Sequence, residues 1–151
     1  MERTFVMVKP DGVGRGLVGE VIGRLEAKGL RLIGLKLLRI DASTAERHYA
    51  AHREKPFYGG LIRFITSGPV VAMVVEGEGA IEVVRNLMGA TDPRKAAPGT
   101  LRGDLALIID ANVVHGSDSE EAAREEIALY FGEDELVSIA RPEESWIYRR
   151  S

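Results

Sequence analysis

The stretch "TFVMVKPDGVGRGLVGEVIGRLEAKG", Thr4 to Gly29, decides the first question of fold. It opens with a β-rich run, Thr4–Lys9, which Pro10, Asp11 and Gly12 end with turn residues. Leu17, Val18, Val21, Ile22 and Leu25 then recur at helical spacing until Lys28-Gly29 supplies a stop. Between them Gly14, Gly16 and Gly19 spell G-x-G-x-x-G. In a dinucleotide-binding turn such glycines let backbone N–H groups approach a pyrophosphate at a helix N-terminus. An acidic residue about 20 positions on then holds the ribose, and Asp41 is available. Two features argue against this reading. The first of these glycines lies well past the strand, beyond "KPDGV", and the remaining chain lacks the βαβαβ series of a doubly wound sheet. No G-x-x-x-x-G-K-[ST] loop occurs either.

Working outward, "LRLIGLKLLRI" (Leu30–Ile40) reads as a half-buried strand, followed by helical segments over Ser43–His52 and Phe57–Ser67. Gly68-Pro69 turns the chain into "VVAMVVEG", Val70–Gly77, the clearest buried strand. Gly79–Gly89 is a helix closed by glycine, and "LALIID" and "NVVH" are strand-like. Thr91–Asp104 has no periodicity, and a loop of that length in a compact domain is usually functional. Ser119–Gly132 is an amphipathic helix, and a tail over 136–151 ends in "SWIYRRS", with Trp146, Ile147 and Tyr148 bulky enough to pack. The whole of 1–151 reads as one domain of mixed α and β structure.

The 45% hydrophobic and 28% charged residues are ordinary for a globular chain. No apolar run is long enough for a membrane span or a signal peptide, and there is no cysteine for disulfides, thiolate zinc or thiol catalysis. The cytoplasm is the expected location. A net charge of −3 with interspersed signs leaves nucleic acid an unexpected partner. His48 and His52, spaced i, i+4, could share one helix face, but no third metal ligand lies nearby in sequence.

The strongest constellation is "NVVHGSDSEEAAREE", Asn112–Glu126. His115 falls where a buried strand meets a helix start, and Ser117 with Glu120 fits a capping box. At about 100° per residue, Glu126 lies within the stripe of Ala122, Ala123, Ile127, Leu129 and Tyr130. A carboxylate there needs a hydrogen-bonding partner, and the His115 ring is the nearest candidate. An imidazole held at one nitrogen presents the other in a fixed orientation, as a nucleophile requires. His115 is thereby a candidate covalent phosphate carrier.

"N-x-x-H-G-S-D-S", Asn112 to Ser119, resembles the active-site signature of the nucleoside diphosphate kinases. "ERTFVMVKPDGV", "RGLVGEV", "HYAAHREKPFY", "ITSGPVVAMVVEG", "VVRNLMGATDP", "APGTLRGD" and "WIY" resemble further segments of that family in its order. The resemblance implies an α+β sandwich of ferredoxin-like type, a four-stranded antiparallel sheet with helices packed on its faces. Gly14 stands where the family usually has a larger polar residue, so G-x-G-x-x-G is a local departure, and Leu105 stands where an aromatic is common.

The implied activity moves the γ-phosphate of a nucleoside triphosphate to a nucleoside diphosphate, ping-pong, through a phosphohistidine at His115. By the same resemblance Glu126 orients the ring and Ser117 bonds within that group. Lys9, Arg85, Thr91 and Arg102 hold phosphate, with Tyr49 near the transferred group and Lys9. Phe57 stacks on the base, and Asn112 with Lys9 holds the ribose. Stacking uses a π-face that every base possesses, so broad base acceptance is expected. Mg2+ arrives on the nucleotide phosphates with no direct protein ligand, Asp118 being a possible outer-shell partner. The family assembles as homo-oligomers, with a hexamer favoured over a tetramer, and the tail 136–151 is expected to pack in the oligomer. Two other classes share part of this pattern. A phosphohistidine relay protein would use His115 and Glu126 without nucleotide turnover, and a regulatory module would carry a degenerate site.

Overall fold

A computed structural model of the chain describes residues 1–149. Strand β1 (Glu2–Val8) leads through the short helix α1 (Pro10–Gly14) and helix α2 (Val18–Lys28) to β2 (Arg31–Leu38). Helices α3 (Ala42–His48) and α4 (Tyr58–Ile65) precede β3 (Val70–Gly77) and α5 (Ala80–Met88). Short α6 (Leu101–Leu105), β4 (Val114–Gly116), α7 (Glu120–Tyr130) and α8 (Glu144–Tyr148) complete the chain. The strands form one sheet in the order β2-β3-β1-β4, every neighbouring pair antiparallel. This is the expected α+β sandwich with ferredoxin-like order, not the parallel sheet that a dinucleotide fold would need.

The two central strands explain why they read as unbroken apolar runs. Successive side chains of a strand point to opposite faces, and here both faces are covered. Val6 and Val8 join Met73 and Val75 in a core under α2 and α5, with Val21, Leu25, Val84 and Met88. Phe5 and Met7 join Ala72 and Val74 in a second core under α3, α4 and α7, with Ala45, Ile65, Tyr130 and Phe131. Every residue of β3 is buried, and each large apolar side chain so placed contributes about 1.5–3 kcal/mol. Strand β2 lies at the sheet edge and shows Leu35 and Leu37 to solvent.

Four sequence expectations change. "LALIID" is not a strand: both edges of β1 are taken by β3 and β4, and Leu107–Ile109 stay exposed before a 3-10 turn at Ile109–Ala111. The helix over Ser43–His52 stops at His48, and Ala50–His52 is a 3-10 turn, so His48 and His52 do not share a helix face. Ser119, not Ser117, caps α7, its hydroxyl accepting from the Ala122 N–H at 3.0 Å. Asp41 caps α3 by accepting from the Thr44 N–H at 2.7 Å and is exposed.

The tail docks along its own chain. The Val137 N–H donates to the Ile33 carbonyl, and the Arg141 guanidinium donates to the Gly29 and Leu30 carbonyls. The Glu78 N–H donates to the Tyr148 hydroxyl at 3.2 Å, while Trp146 is exposed. Positions 150–151 of "SWIYRRS" lie outside the described residues.

Candidate active site

The site is built where β1 ends and β4 begins. Pro10, with its preset φ and missing N–H, starts α1 directly after the strand, so Lys9 becomes the helix N-cap at the sheet's end. Its ammonium donates to Asn112 Oδ1 at 2.6 Å and sits 5.6 Å from the Phe64 ring centroid. Burial, then the charge of Arg102, lowers its pKa to about 8 against a smaller upward pull from Asp11. Asn112 in turn donates from Nδ2 to the Thr91 carbonyl at 3.0 Å.

Val113 holds this corner through an unusual backbone. It is fully buried with φ 73°, a conformation that a β-branched residue adopts only under constraint, at a cost of about 1–3 kcal/mol. The constraint comes from the turn after β1. Asp11 Oδ2 accepts from the Val113 N–H at 3.0 Å, and the Lys9 N–H donates to the Val113 carbonyl at 2.8 Å. Gly12 closes the clamp. A Cβ on it would lie 2.6 Å from a Val8 methyl and 3.1 Å from the Val113 carbonyl oxygen. The glycine this turn cannot lose is therefore Gly12. Gly14 and Gly19 have open space where a Cβ would be.

Arg102 lies on α6 and is 4% exposed. Its guanidinium donates to three carbonyls: Asn112 and Gly89 at 3.2 Å each, and Val114 at 2.6 Å. Burial, then Arg85, lowers its pKa to about 10, so it stays cationic at neutral pH. Arg85, on α5, donates to the Gly116 carbonyl at 3.2 Å. The segment Asn112–Gly116 is thus held from outside by cations.

His115 pairs with Met7 across β1 and β4. Its Nε2 lies 2.6 Å from Glu126 Oε1, which also accepts from the Ser117 hydroxyl at 2.9 Å. Burial opposes the Glu126 charge, but the bond and charge of His115, then His48 and Ser117, hold the carboxyl below its ordinary pKa. A carboxylate only accepts. The Nε2 nitrogen must therefore donate, and the neutral ring keeps its lone pair on Nδ1. This is the partner that an acidic residue on the apolar face of α7 required.

Beside this pair lies His48, which its i, i+4 spacing in the sequence links to His52 and not to His115. The His48 ring centroid is 4.8 Å from that of His115, edge-on, and its Nδ1 is 2.9 Å from the Tyr130 hydroxyl. Burial, then His115, lowers its pKa to about 3, so it is neutral. Tyr49 packs against it, and burial, then Glu126, raises that phenol to about 12. Phe57 is half-exposed, 5.6 Å from the His52 ring, and lines one cavity of about 410 Å³ with Lys9, Phe64 and Asp110. Asp118 is exposed, and the Thr91 carbonyl faces Asn112. The expected residues thus gather around one corner, with Phe57 at its rim. Asp11, Gly12 and Tyr130 were not singled out as site residues, and the only signal for the first two was the Pro-Asp-Gly turn itself; His48 was singled out only with His52.

An imidazole held by a carboxylate, beside buried and half-buried cations at the end of a ferredoxin-like sheet, is an arrangement of the phosphoryl-transfer class. Comparison with known proteins narrows the class. The family profile described as nucleoside diphosphate kinase matches residues 2–136. A nucleoside diphosphate kinase of Archaeoglobus fulgidus is 64% identical over 148 residues, covering 98% of each chain. One from Thermus thermophilus is 64% identical over 137 residues, covering 91% of this chain and all of its own. The structure of a halophilic nucleoside diphosphate kinase from Halobacterium salinarum, in complex with CDP, superposes with a TM-score of 0.95 at 57% identity, covering 97% of this chain and 98% of that one. The chain belongs to the nucleoside diphosphate kinase family. It is an enzyme of that family, and among the described residues no helix is long and apolar enough to cross a membrane.

Proposed function

We propose that the enzyme works by a ping-pong mechanism through a phosphohistidine at His115, with broad base specificity. The observation that carries this reading is the 2.6 Å contact of His115 Nε2 with Glu126, which leaves the lone pair on Nδ1. Nδ1 attacks the γ-phosphorus of a nucleoside triphosphate. The N–P bond forms, the bond to the β,γ-bridging oxygen breaks, and the diphosphate leaves with that oxygen. A second diphosphate then attacks the phosphohistidine through its terminal oxygen and restores the lone pair. Glu126 stabilises the positive ring of each transition state, and Ser117 steadies Glu126.

Phosphoryl transfer is catalysed chiefly by positioning and charge. Lys9, Arg85 and Arg102 supply the cations, each with donors beyond those it spends on the protein. Thr91 and Tyr49 add donors beside the phosphates, Asn112 with Lys9 holds the ribose, and Phe57 stacks on the base. CDP, the ligand named for the Halobacterium salinarum enzyme, is a nucleoside diphosphate of the kind this corner would take. Mg2+ belongs to the nucleotide substrate. The corner offers nitrogen cations, Asp11 accepts from the Val113 N–H through Oδ2 and keeps Oδ1 buried, and exposed Asp118 is at most an outer-shell partner. Lys9 and Phe57 lining a common cavity favour nucleotide turnover over a protein-to-protein phosphate relay.

A homo-oligomer, hexameric rather than tetrameric, accounts for the exposed Leu35 and Leu37 on the free β2 edge and for exposed Leu107, Ile108 and Ile109. The location proposed is the cytoplasm.

The test is a two-step transfer. Protein labelled by γ-labelled ATP and Mg2+, freed of nucleotide, is expected to carry acid-labile label that moves to GDP, CDP and UDP alike. His115→Ala is expected to abolish labelling while nucleotide binding persists. Labelling of the His115→Ala protein would overturn the phosphohistidine. Label that no diphosphate removes would favour the relay.

A further inference from the structure

The nucleophile has a neighbour that phosphoryl transfer does not use. His48, His115 and Glu126 each offer a ligand atom, and these atoms all lie within 4.8 Å of one another. Two imidazoles and a carboxylate are the protein half of a zinc site with one open position. Such a site needs its ligands oriented from outside, usually by a hydrogen bond at the atom the metal does not take. Those outer partners are present. The Tyr130 hydroxyl holds His48 at Nδ1, which leaves Nε2 free, and the Ser117 hydroxyl holds Glu126. The three ligands come from different elements, α3, β4 and α7, so their convergence is a property of the packed site.

We propose that His48, His115 and Glu126 form a binding site for a borderline-soft divalent cation of the Zn2+ type, and that its occupancy silences His115 as a nucleophile. Imidazole suits Zn2+ and its transition-metal neighbours, whereas Mg2+ takes oxygen, so the two metals do not compete for this site. Ligands about 2.0–2.1 Å from a tetrahedral ion stand roughly 3.3 Å apart. The 2.6 Å His115–Glu126 contact therefore opens slightly as the cation replaces the shared proton. Either mode of binding disables the ring. A cation on Nδ1 consumes the attacking lone pair, and a cation on Nε2 leaves the ring's remaining proton on Nδ1. A water completes the coordination; in the Nε2 mode the displaced Nε2 proton passes through solvent to Nδ1, and no bond between heavier atoms of the protein is made or broken.

The cation site stands on this geometry alone, whereas the silencing rests on the proposed role of His115, so the test of the site uses no nucleotide and the two readings fail separately. Equilibrium dialysis of the purified protein against Zn2+ is expected to give one ion per chain, and Co2+ in its place the visible absorption of a tetrahedral site. His48→Gln and His115→Asn are each expected to weaken binding by more than about 100-fold, beyond the roughly 10- to 100-fold that loss of an outer partner costs. The second readout needs no variant. Zn2+ is expected to protect His115 of the unaltered protein from diethyl pyrocarbonate, followed by peptide mass, while Mg2+ does not. Equal Zn2+ affinity in folded His48→Gln protein would overturn the proposal. So would unchanged His115 modification at saturating Zn2+, or the absence of any bound ion.

Discussion

His115 Nε2 and Glu126 Oε1 stand 2.6 Å apart although the two residues belong to different elements, a strand and the helix that follows it. The contact fixes which ring nitrogen keeps a lone pair, and only a charged carboxylate fixes it without ambiguity. Glu126→Gln can also donate, so both tautomers become possible and the positive ring loses its counter-charge. Phosphoenzyme formation, measured in single-turnover mixing with ATP, is expected to slow by roughly 10- to 100-fold, the range for losing an orienting partner. ADP affinity is expected to stay within about twofold. An unchanged rate would mean that the tautomer is set by something other than Glu126.

That carboxylate was legible in the sequence because periodicity assigns it to an apolar face. The central strands were legible for a related reason, since a sheet covered on both faces makes its inner strands uniformly apolar. The clamp on Val113 was not. Its hydrogen bond to Asp11 spans 102 positions, and a strained backbone leaves no mark on the residue that carries it. The place of His48 beside His115 was hidden for a different reason: i, i+4 spacing links it to His52, whereas the helix ends at His48. "LALIID" misled because apolar composition reports the wish to be buried, not the presence of a free strand edge.

Gly14 separates the two explanations of the glycine-rich turn. It ends α1 without a positive φ, and a Cβ there would meet nothing within 4 Å. Gly14→Ala is therefore expected to raise stability by about 0.5–1 kcal/mol through lost chain entropy, with nucleotide affinity unchanged. Gly12→Ala would press on Val8 and the Val113 carbonyl, and is expected to cost about 1–3 kcal/mol. Thermal melts of the two variants check both. A Gly14→Ala protein with impaired ADP binding would revive the pyrophosphate cradle.

Arg102 is expected to matter twice. Its three carbonyl bonds make it a brace for Gly89, Asn112 and Val114 in the resting protein, and two of its five N–H donors are left for a ligand. Lysine offers a point charge without the planar fork. Arg102→Lys therefore leaves carbonyls unpaired, each at about 1–3 kcal/mol, and the melting temperature is expected to fall by roughly 5–10 °C. A variant that kept its stability but lost nucleotide affinity would show the arginine to be a phosphate contact only.

Lys9 gives the pH dependence its sign. Its pKa of about 8 lies below the ordinary 10.5 chiefly because it is buried, and phosphate needs its charged form. Raising the pH through about 8 is expected to lower kcat/KM, which reports the free enzyme. Bound phosphates restore charge to Lys9, so the matching fall in kcat lies at higher pH. Stability runs the other way. Between about pH 8 and 10.5 the unfolded chain holds the Lys9 proton and the folded chain has released it, so this residue's contribution to stability grows as pH rises. Activity and melting temperature, measured on the same samples from pH 6.5 to 9.5, should therefore diverge. Asp11→Asn removes the one charge that holds Lys9 up and is expected to move the kcat/KM limb to lower pH. A loss of kcat/KM that merely tracks unfolding would rule out Lys9 as its source.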